Sequence, residues 1–460
     1  MKSLTDPSQA LSAGLAAVRS EFKVPASFPP EVLAAADAAA KRVPDRHADR
    51  TDMPFVTLDP ATSTDLDQAF SVEQSGSDLL LHYAIADVAW FVEDGDAVDI
   101  EAWTRGETLY LPDGKAGLYP PVLAENAASL LPGGPRPAVV FTVRIAGDGA
   151  LRLDGVERAV IRSRAKLAYD SVQAADLPAG FDELARRMAA NEQRRGASRV
   201  DPPEQEVEEQ ANGTFKLVFR PLLPSEQQNA ALSLAANMAV ADTMLAHHTG
   251  LFRVMSGPDA AKVARLRNAA RVLGLDWPES TGLREYQKTL DPADPKQAAL
   301  MLEIRRASPG ASYQPYQDGV VPWHEALAAT YAHATAPLRR LADRYVIRAT
   351  LAIANGQAVP DAVTQAFARL PKTMGRADAH ASQINRAVID LAEAVMLRDR
   401  AGENFAAIVT DLTDRGARVQ LADLPVVANI NATGLGMGQR LSLKLVSADP
   451  DQRRIVLAPT

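Results

Sequence analysis

Three aspartates within nine residues, at the end of an apolar run, constrain this chain more than any other sequence feature. Residues 55–58 form a strand-like run, and the proline and hydroxyl residues of 60–64 predict a loop after it. Asp59, Asp65 and Asp67 then lie close together with no Lys or Arg among them. Such carboxylates repel one another unless a cation or raised pKa values relieve the charge. The pattern suits a Mg²⁺ site for phosphate chemistry and, equally, an acidic loop in solvent.

The composition is typical of a soluble protein with several domains. At 460 residues the chain is too long for one ordinary core, so we expect two or three domains. The absence of cysteine excludes disulfides and thiolate metal sites, which fits a reducing cytoplasm. No signal-peptide core and no long apolar stretch are found, so we expect a cytoplasmic monomer without membrane contact. The net charge of −8 argues against broad coating of nucleic acid but not against a locally positive channel.

Hydrophobic patterning divides the chain into three parts. An N-terminal extension, residues 1–48, carries two Ala-rich helices, which are either packing decoration or a small helical nucleic-acid-binding module. A central α+β body follows, and the last sixty residues show five short strands that suit an OB-type barrel. The predicted helices are 7–21, 30–42, 178–197, 225–248, 320–355 and 375–400, and the clearest predicted strands of the body are 79–86, 138–143 and 156–161.

A second informative stretch, residues 330–348, is rich in arginine. Pro337 predicts a helix start, which spreads the arginines over a few helical turns, with three of them on one face. These residues are Arg339, Arg340, Arg344 and Arg348. Guanidinium groups and helix N-termini both favour phosphate. A solvated basic face paired with Asp343 is the competing interpretation.

Together the two stretches resemble the ribonuclease II (RNB) family of 3′-to-5′ exoribonucleases. The family's first motif has four aspartates: five residues separate the first from the second, one residue separates the second from the third, and the fourth follows directly. Asp59, Asp65 and Asp67 match the first three, and Gln68 stands at the fourth position. The family's late motif, Tyr-Thr-His-Phe-Thr-Ser-Pro-Ile-Arg-Arg-Tyr-Ala-Asp, is followed closely by residues 331–343. Shorter landmarks in the family's order extend the resemblance over residues 28–400.

The resemblance implies a fold and an activity. The fold is α+β: an RNB-type catalytic domain at 49–400, with a mixed sheet surrounded by helices, and then an OB-fold barrel of the ribosomal-protein type at 401–460. Single-stranded RNA would enter a narrow channel and be hydrolysed from its 3′ end to nucleoside 5′-monophosphates and a short oligonucleotide. The family's N-terminal cold-shock barrels are expected to be lacking, and no small-molecule cofactor is expected.

The resemblance also implies residue roles. Asp59, Asp65, Asp67 and Gln68 would position one or two Mg²⁺ ions, with Mn²⁺ as a substitute. Asp67 and Arg339 would be catalytic, the arginine stabilising charge on the reacting phosphate.

Further residues are implied to contact the RNA. Tyr169 would stack on a base near the catalytic end. The other implied contacts are Arg340, Arg344, Tyr331 and His333, for which packing or salt bridging is the competing interpretation. No partner aromatic follows residues 252–254, so we expect an incomplete stacking clamp.

Gln68 leaves two functions open. A neutral carbonyl in place of a carboxylate should lower the affinity for Mg²⁺. The chain is therefore predicted to be an active exoribonuclease or, alternatively, an RNA-binding pseudo-nuclease that kept the channel and lost turnover. An unrelated metal phosphohydrolase with a similar Asp loop is disfavoured by the arginine motif.

Overall fold

The computed structural model describes residues 10–197, 204–209, 215–220, 222–291, 294–413 and 416–460. Within these ranges the chain forms an α+β body followed by a small barrel of antiparallel strands, as the patterning predicts. None of the helices in the described ranges is long and apolar enough to cross a bilayer.

Helices and strands are numbered in chain order. The helices are α1 (Ala10–Glu21), α2 (Pro30–Ala39), α3 (Val88–Phe91), α4 (Ala97–Arg105), α5 (Phe181–Arg195), α6 (Pro224–Ala246), α7 (Ala260–Val272), α8 (Leu283–Gln287), α9 (Pro295–Ala307), α10 (Leu341–Ala354) and α11 (Asp361–Leu397). The strands of the body are β1 (Ala48–Asp49), β2 (Thr57–Asp59), β3 (Gln68–Ser75), β4 (Asp78–Ala86), β5 (Leu109–Leu111), β6 (Gly114–Ala116), β7 (Arg136–Ile145), β8 (Leu151–Ile161), β9 (Lys166–Ala168), β10 (Glu204–Glu209), β11 (Phe215–Arg220), β12 (Leu251–Val254), β13 (Ser312–Pro315), β14 (Trp323–His324) and β15 (Ala329–Thr330). The barrel strands are β16 (Asn404–Thr413), β17 (Gly416–Leu421), β18 (Val427–Ile430), β19 (Arg440–Asp449) and β20 (Arg454–Pro459).

The body is built on a mixed five-stranded sheet with the order β1-β8-β7-β4-β3. β1 pairs with β8 in parallel, whereas the other pairs are antiparallel. A tight turn joins β7 to β8: Gly149 has a φ of 77°, and a Cβ there would lie 2.7 Å from the Arg187 carbonyl oxygen. Glycine is therefore required at this tight hairpin. The three strands predicted in the body are confirmed as parts of β4, β7 and β8.

Helices cover the sheet and position the late motif. α6 packs against β4, β7 and β8 and also contacts α10, and its central turns are almost fully buried. The helix predicted at 320–355 is wrong for its first half: residues 320–340 contain two short strands and irregular backbone, and α10 begins at Leu341. Pro337 therefore does not open the helix. The helix predicted at 375–400 is part of α11, which continues through Pro371 from Asp361.

The five strands predicted after residue 400 are all present. They form a sheet with the order β18-β17-β16-β19-β20, and β18 also contacts β20, which nearly closes a barrel. The barrel has its own apolar core and docks on α11. Glu393 of α11 joins the two parts, because its Oε1 accepts hydrogen bonds from the Val427 N–H at 2.8 Å and the Gln205 side-chain amide at 2.7 Å.

The N-terminal helices are integrated into the body. α1 packs against α11 through Leu11, Leu15 and Val18, and a Cβ on Gly14 would lie 2.5 Å from a Leu391 methyl group. α2 packs against α4 in the main core. Residues 7–9 of the first predicted helix lie outside the described residues.

Candidate active site

The aspartate loop is anchored at both ends and in the middle. β2 pairs in parallel with β9, so Asp59 stands at the end of a strand opposite Ala168. In the loop, the Leu66 N–H donates to Ser129 Oγ at 2.9 Å, and Lys166 Nζ donates to the carbonyls of residues 61 and 63. The loop is therefore fixed to the body and is not a freely solvated acidic segment.

Asp67 is buried and contacts the late motif directly. Its Oδ1 accepts the Leu338 N–H at 2.7 Å, and its Oδ2 accepts Arg339 Nε at 3.1 Å. Burial raises the Asp67 pKa to about 7, while the nearby Arg339 guanidinium acts in the opposite direction. The two stretches that are far apart in sequence are thus joined at one carboxylate.

Arg339 lies before the helix, on backbone fixed by neighbouring segments. Its carbonyl oxygen accepts the Thr108 N–H at 3.0 Å. The Asp343 carboxylate accepts the Ala336 N–H at 2.8 Å and pairs with Arg340 at 2.9 Å. The Arg339 side chain remains 45% exposed, so its guanidinium can meet a ligand while one nitrogen holds Asp67.

Asp59 and Asp65 differ in their partners. Burial raises the Asp59 pKa to about 6, opposed by Arg339 and Lys166 and reinforced by Asp65. Asp65 is held by the β5–β6 hairpin: Lys115 Nζ lies 2.8 Å from Oδ1, and the Tyr110 hydroxyl donates to Oδ2 at 3.1 Å.

Gln68 is the first residue of β3 and directly follows Asp67. Its Oε1 accepts hydrogen bonds from the Tyr83 hydroxyl and from Ser233 Oγ, the latter at 2.9 Å. The carbonyl oxygen of the fourth motif position is therefore already hydrogen-bonded by two side chains.

A cavity of about 910 Å³ lies beside Gln68 and Arg339, between α6, the α8–α9 region and the late motif, and none of the three aspartates is among its lining residues. Four arginines are among its lining residues: Arg284, Arg305, Arg339 and Arg340. Tyr169 also lines it, with a hydroxyl that accepts the Asn229 side-chain amide at 2.8 Å and a pKa that burial raises to about 12. The cavity thus combines four arginines and an aromatic ring with two carboxylates, Glu226 and Glu325, the second of which is ion-paired to Arg284.

The remaining residues of the late motif separate into two groups. Tyr331 lines the cavity, and its hydroxyl accepts the Asn237 amide at 3.1 Å. His333 is not among the cavity-lining residues; it bonds to the Tyr313 hydroxyl at 2.8 Å, and burial lowers its pKa well below the ordinary value. His333 thus has the contacts of a packing residue.

The expected RNA contact of Arg344 stays a prediction, and its surroundings favour the competing interpretation of salt bridging. Arg344 is almost fully buried and forms an ion pair with Asp99 of α4. Most of the neighbouring positions of α10 are buried as well, so Arg344 lies in the core and is not among the residues that line the cavity. Arg340 remains compatible with both interpretations, an RNA contact and a structural salt bridge, because it is ion-paired to Asp343 and also lines the cavity.

Tyr110 and Lys115 are site residues that sequence reasoning missed. They are paired directly across the β5–β6 hairpin, and both contact Asp65. The Tyr110 residue is 57% exposed, so its ring is accessible to a ligand beside Asp65. The signal that the sequence offered was an aromatic residue directly before Leu111 and Pro112.

The four residues expected to bind Mg²⁺ are suited to a hard divalent cation only in part. Asp67 is buried and Asp59 is half-buried, and both have raised pKa values, which a cation would relieve. Within the described ranges, however, no three carboxylate or imidazole side chains converge as a coordination shell. Asp65, Asp67 and Gln68 are all engaged by other groups of the protein, and each oxygen involved would have to accept a cation beside its present donor.

Comparison with known proteins agrees with this geometry. Residues 47–356 match the RNB domain. The chain belongs to the RNB family. Residues 403–460 match the C-terminal S1 domain of RNase II-type exonucleases, which is the barrel.

Individual relatives support the assignment to the RNB family. Ribonuclease R of Aquifex aeolicus is 27% identical over 88% of this chain and 61% of its own length. The chain thus spans about three fifths of that relative. The structure of Mycoplasma genitalium RNase R in complex with ribose-methylated single-stranded RNA has the same fold, with a TM-score of 0.87, 21% identity and coverage of 100% of this chain and 79% of that one. The yeast pseudonuclease Ssd1 is also similar in fold, with a TM-score of 0.68, 16% identity and coverage of 98% and 58%.

Proposed function

We propose that this RNB-family protein is a Mg²⁺-dependent 3′-to-5′ exoribonuclease that releases nucleoside 5′-monophosphates from single-stranded RNA. The observation that carries the proposal is the contact of Asp67 with the Leu338 N–H and with Arg339, whose side chain lines the cavity together with three other arginines. The names of the relatives, ribonuclease R and exoribonuclease 2, support the reaction class. The protein is proposed to act as a cytoplasmic monomer.

The carboxylates and arginines of the site are proposed to have different roles in the reaction. Asp59 and Asp67 would hold Mg²⁺, with Asp65 beside them; the ion supplies an activated water and neutralises charge on the phosphodiester. Arg339, oriented by Asp67, is placed to stabilise charge on the reacting phosphate, because its guanidinium is preorganised and half-exposed. Arg340 is a second cation for the chain of phosphates.

Stacking would hold the 3′ end without reading its sequence. Tyr169 lines the cavity, and Tyr110 presents an exposed ring beside Asp65. Base–aromatic stacking contributes about 1–3 kcal/mol per base and tolerates every base. Tyr110 can thus supply the second aromatic that the sequence around residues 252–254 does not offer.

A time course with 5′-labelled single-stranded RNA tests the proposal. With Mg²⁺ we expect a descending ladder that ends in a short oligomer, and with EDTA or in Asp67→Asn no ladder. Intact RNA under all conditions would overturn it.

The pseudo-nuclease is the second candidate, and Gln68 is the observation that favours it, since a neutral side chain stands where the family motif has a carboxylate. The likeness to yeast Ssd1 means that the fold alone does not require turnover. Tight binding of RNA that remains intact in the presence of Mg²⁺ would support this candidate.

A further inference from the structure

A second cavity lies at the junction between α11 and the barrel. Its volume is about 730 Å³, and its walls come from α11, β17, β18 and β20, with Gln205 of β10 beside them. It shares no lining residue with the cavity of the candidate active site. The proposed reaction therefore leaves this cavity without a role.

Four arginines line the junction cavity. Arg386 comes from α11, Arg418 from β17, Arg454 is the first residue of β20, and Arg453 directly precedes it. Arg453 is ion-paired to Glu21 of α1 at 2.5 Å. Within the described ranges, the side chains of the other three have no hydrogen-bond or ion-pair partner. Arg418 is half-buried, whereas Arg386 and Arg454 are exposed, so all three guanidinium groups can meet a ligand.

The positive charge of Arg418 is poorly compensated where it lies. Burial lowers the pKa of Arg418, and the neighbouring Arg306 and Arg386 act in the same direction, while Asp411 and Glu393 oppose them. A buried cation that lies near other cations is stabilised by an anion beside it. The environment of Arg418 therefore favours a negatively charged ligand.

Two carboxyl groups also line the cavity and reduce its positive charge only in part. Burial raises the pKa of Asp390, and Arg386, Arg453 and Arg418 act in the opposite direction. Burial raises the Glu393 pKa to about 7, so this group is only partly ionised near neutral pH. The three arginines without partners therefore exceed the carboxylate charge of the cavity.

The other lining residues indicate which anion fits. Guanidinium groups bind phosphate through paired hydrogen bonds, and the exposed amides of Asn429 and Asn431 add neutral donors. No aromatic side chain is among the described residues that line the cavity. Grooves for single-stranded nucleic acid combine positive charge with aromatic rings on which bases stack. The lining thus suits phosphate groups that carry no base.

We infer that the junction of α11 and the barrel binds a small phosphate anion without a base, inorganic phosphate or pyrophosphate, through Arg386 of the body and Arg418 and Arg454 of the barrel. Because the ligand contacts both parts, it should stabilise the docking of the barrel on α11. The inference goes beyond the proposed function and does not depend on it.

Isothermal titration of the full chain with pyrophosphate, in EDTA and at constant ionic strength, tests the inference without turnover. The wild type should show saturable binding. Arg418→Gln and Arg386→Gln should each weaken it by about tenfold or more, because a charge-assisted hydrogen bond to the anion is lost. Arg454→Gln is the replacement if Arg418→Gln does not fold. Pyrophosphate should also raise the melting temperature of the wild type, since it binds the folded, docked state.

Two control variants locate the bound anion. Arg440→Gln makes the same change at an exposed position of β19 outside the cavity, and Arg339→Gln removes a cation from the cavity of the candidate active site. Both should keep the wild-type affinity for pyrophosphate. The absence of saturable binding, or binding that is weakened only by Arg339→Gln, would overturn the inference.

A competition experiment separates a free phosphate from the backbone of RNA. In EDTA, saturating oligouridine should leave the affinity of the wild type for pyrophosphate unchanged, because the RNA is proposed to bind in the other cavity. Displacement of pyrophosphate by oligouridine would show that these arginines hold an RNA strand and would overturn the inference. Failure to degrade labelled RNA would reject only the proposed exoribonuclease, since pyrophosphate binding is measured without turnover.

Discussion

At the residue scale, the central feature is the contact of Asp67 with Arg339 and the Leu338 N–H. The sequence predicted that both residues belong to one site, because each fits a motif of the RNB family. It could not predict the contact itself, which depends on irregular backbone before α10. The partners of Gln68 were equally unpredictable, since Tyr83 and Ser233 come from β4 and α6.

Arg339→Ala should lower the single-turnover rate of RNA hydrolysis by about 100-fold or more, because a preorganised donor to the reacting phosphate is lost. RNA affinity should change much less, since other arginines line the cavity. Arg46→Ala, at an exposed arginine remote from the late motif in sequence, is the control. A rate within a few-fold of the wild type would remove Arg339 from the reaction.

Tyr169→Ala should lengthen the final oligonucleotide, because one stacked base near the catalytic end is lost. Tyr169→Phe keeps the ring and loses only the hydrogen bond from Asn229, so its end product should match that of the wild type. Gel analysis of exhaustive digests measures both. If the alanine and wild-type end products were identical, Tyr169 would not stack on RNA.

At the element scale, local patterns predicted α1, α2, α5, α6, much of α11 and the five barrel strands, but they did not locate α4, α7 or α9 and failed at residues 320–340. This segment is rich in alanine, yet its backbone groups bond to tertiary partners: Asn237 Oδ1 accepts the Ala334 N–H, and the Tyr331 carbonyl accepts the Arg253 N–H. A segment whose backbone is satisfied by other elements does not need a helix. The β5–β6 hairpin was missed for a different reason, since its strands have only three residues each.

The junction between α11 and the barrel should be sensitive to pH. Burial raises the Glu393 pKa from an ordinary 4.5 to about 7, so the folded state binds the proton more tightly than the unfolded state. The stability from this group is fully present below about pH 4.5 and is lost as the pH rises through about 7.

Glu393→Gln keeps the Oε1 acceptor and removes the charge. Its melting temperature should therefore exceed that of the wild type at pH 8 and approach it at pH 5. Asp423→Asn, an exposed neutralisation on the barrel, is the control. A variant that is less stable than the wild type at pH 8 would show that Glu393 is needed as a carboxylate.

At the scale of the whole molecule, the order of parts was predictable and their mutual contacts were not. The five C-terminal strands and the α+β body followed from patterning, because alternation and turn residues are local signals. The placement of α1 against α11 and the hairpin depends on side chains such as Leu391 and Arg19, whose partners are distant in sequence. The acidic net charge also gave no indication that more arginines than carboxylates line the cavity.

RNA binding should be strongly salt-dependent despite the net charge of −8, because the phosphate contacts come from the arginines of the cavity. With inactive Asp67→Asn and a fluorescent oligouridine, the affinity should fall by about tenfold or more when the salt concentration rises from about 50 to 200 mM. An affinity that is unchanged by salt would mean that stacking alone holds the strand.

The identity of the first product released from 3′-labelled single-stranded RNA tests the central claim most directly. With Mg²⁺, the wild-type protein should release the label as a nucleoside 5′-monophosphate from the earliest time point, and Asp67→Asn should release none. Labelled oligonucleotides as first products, or release by Asp67→Asn at the wild-type rate, would contradict the account.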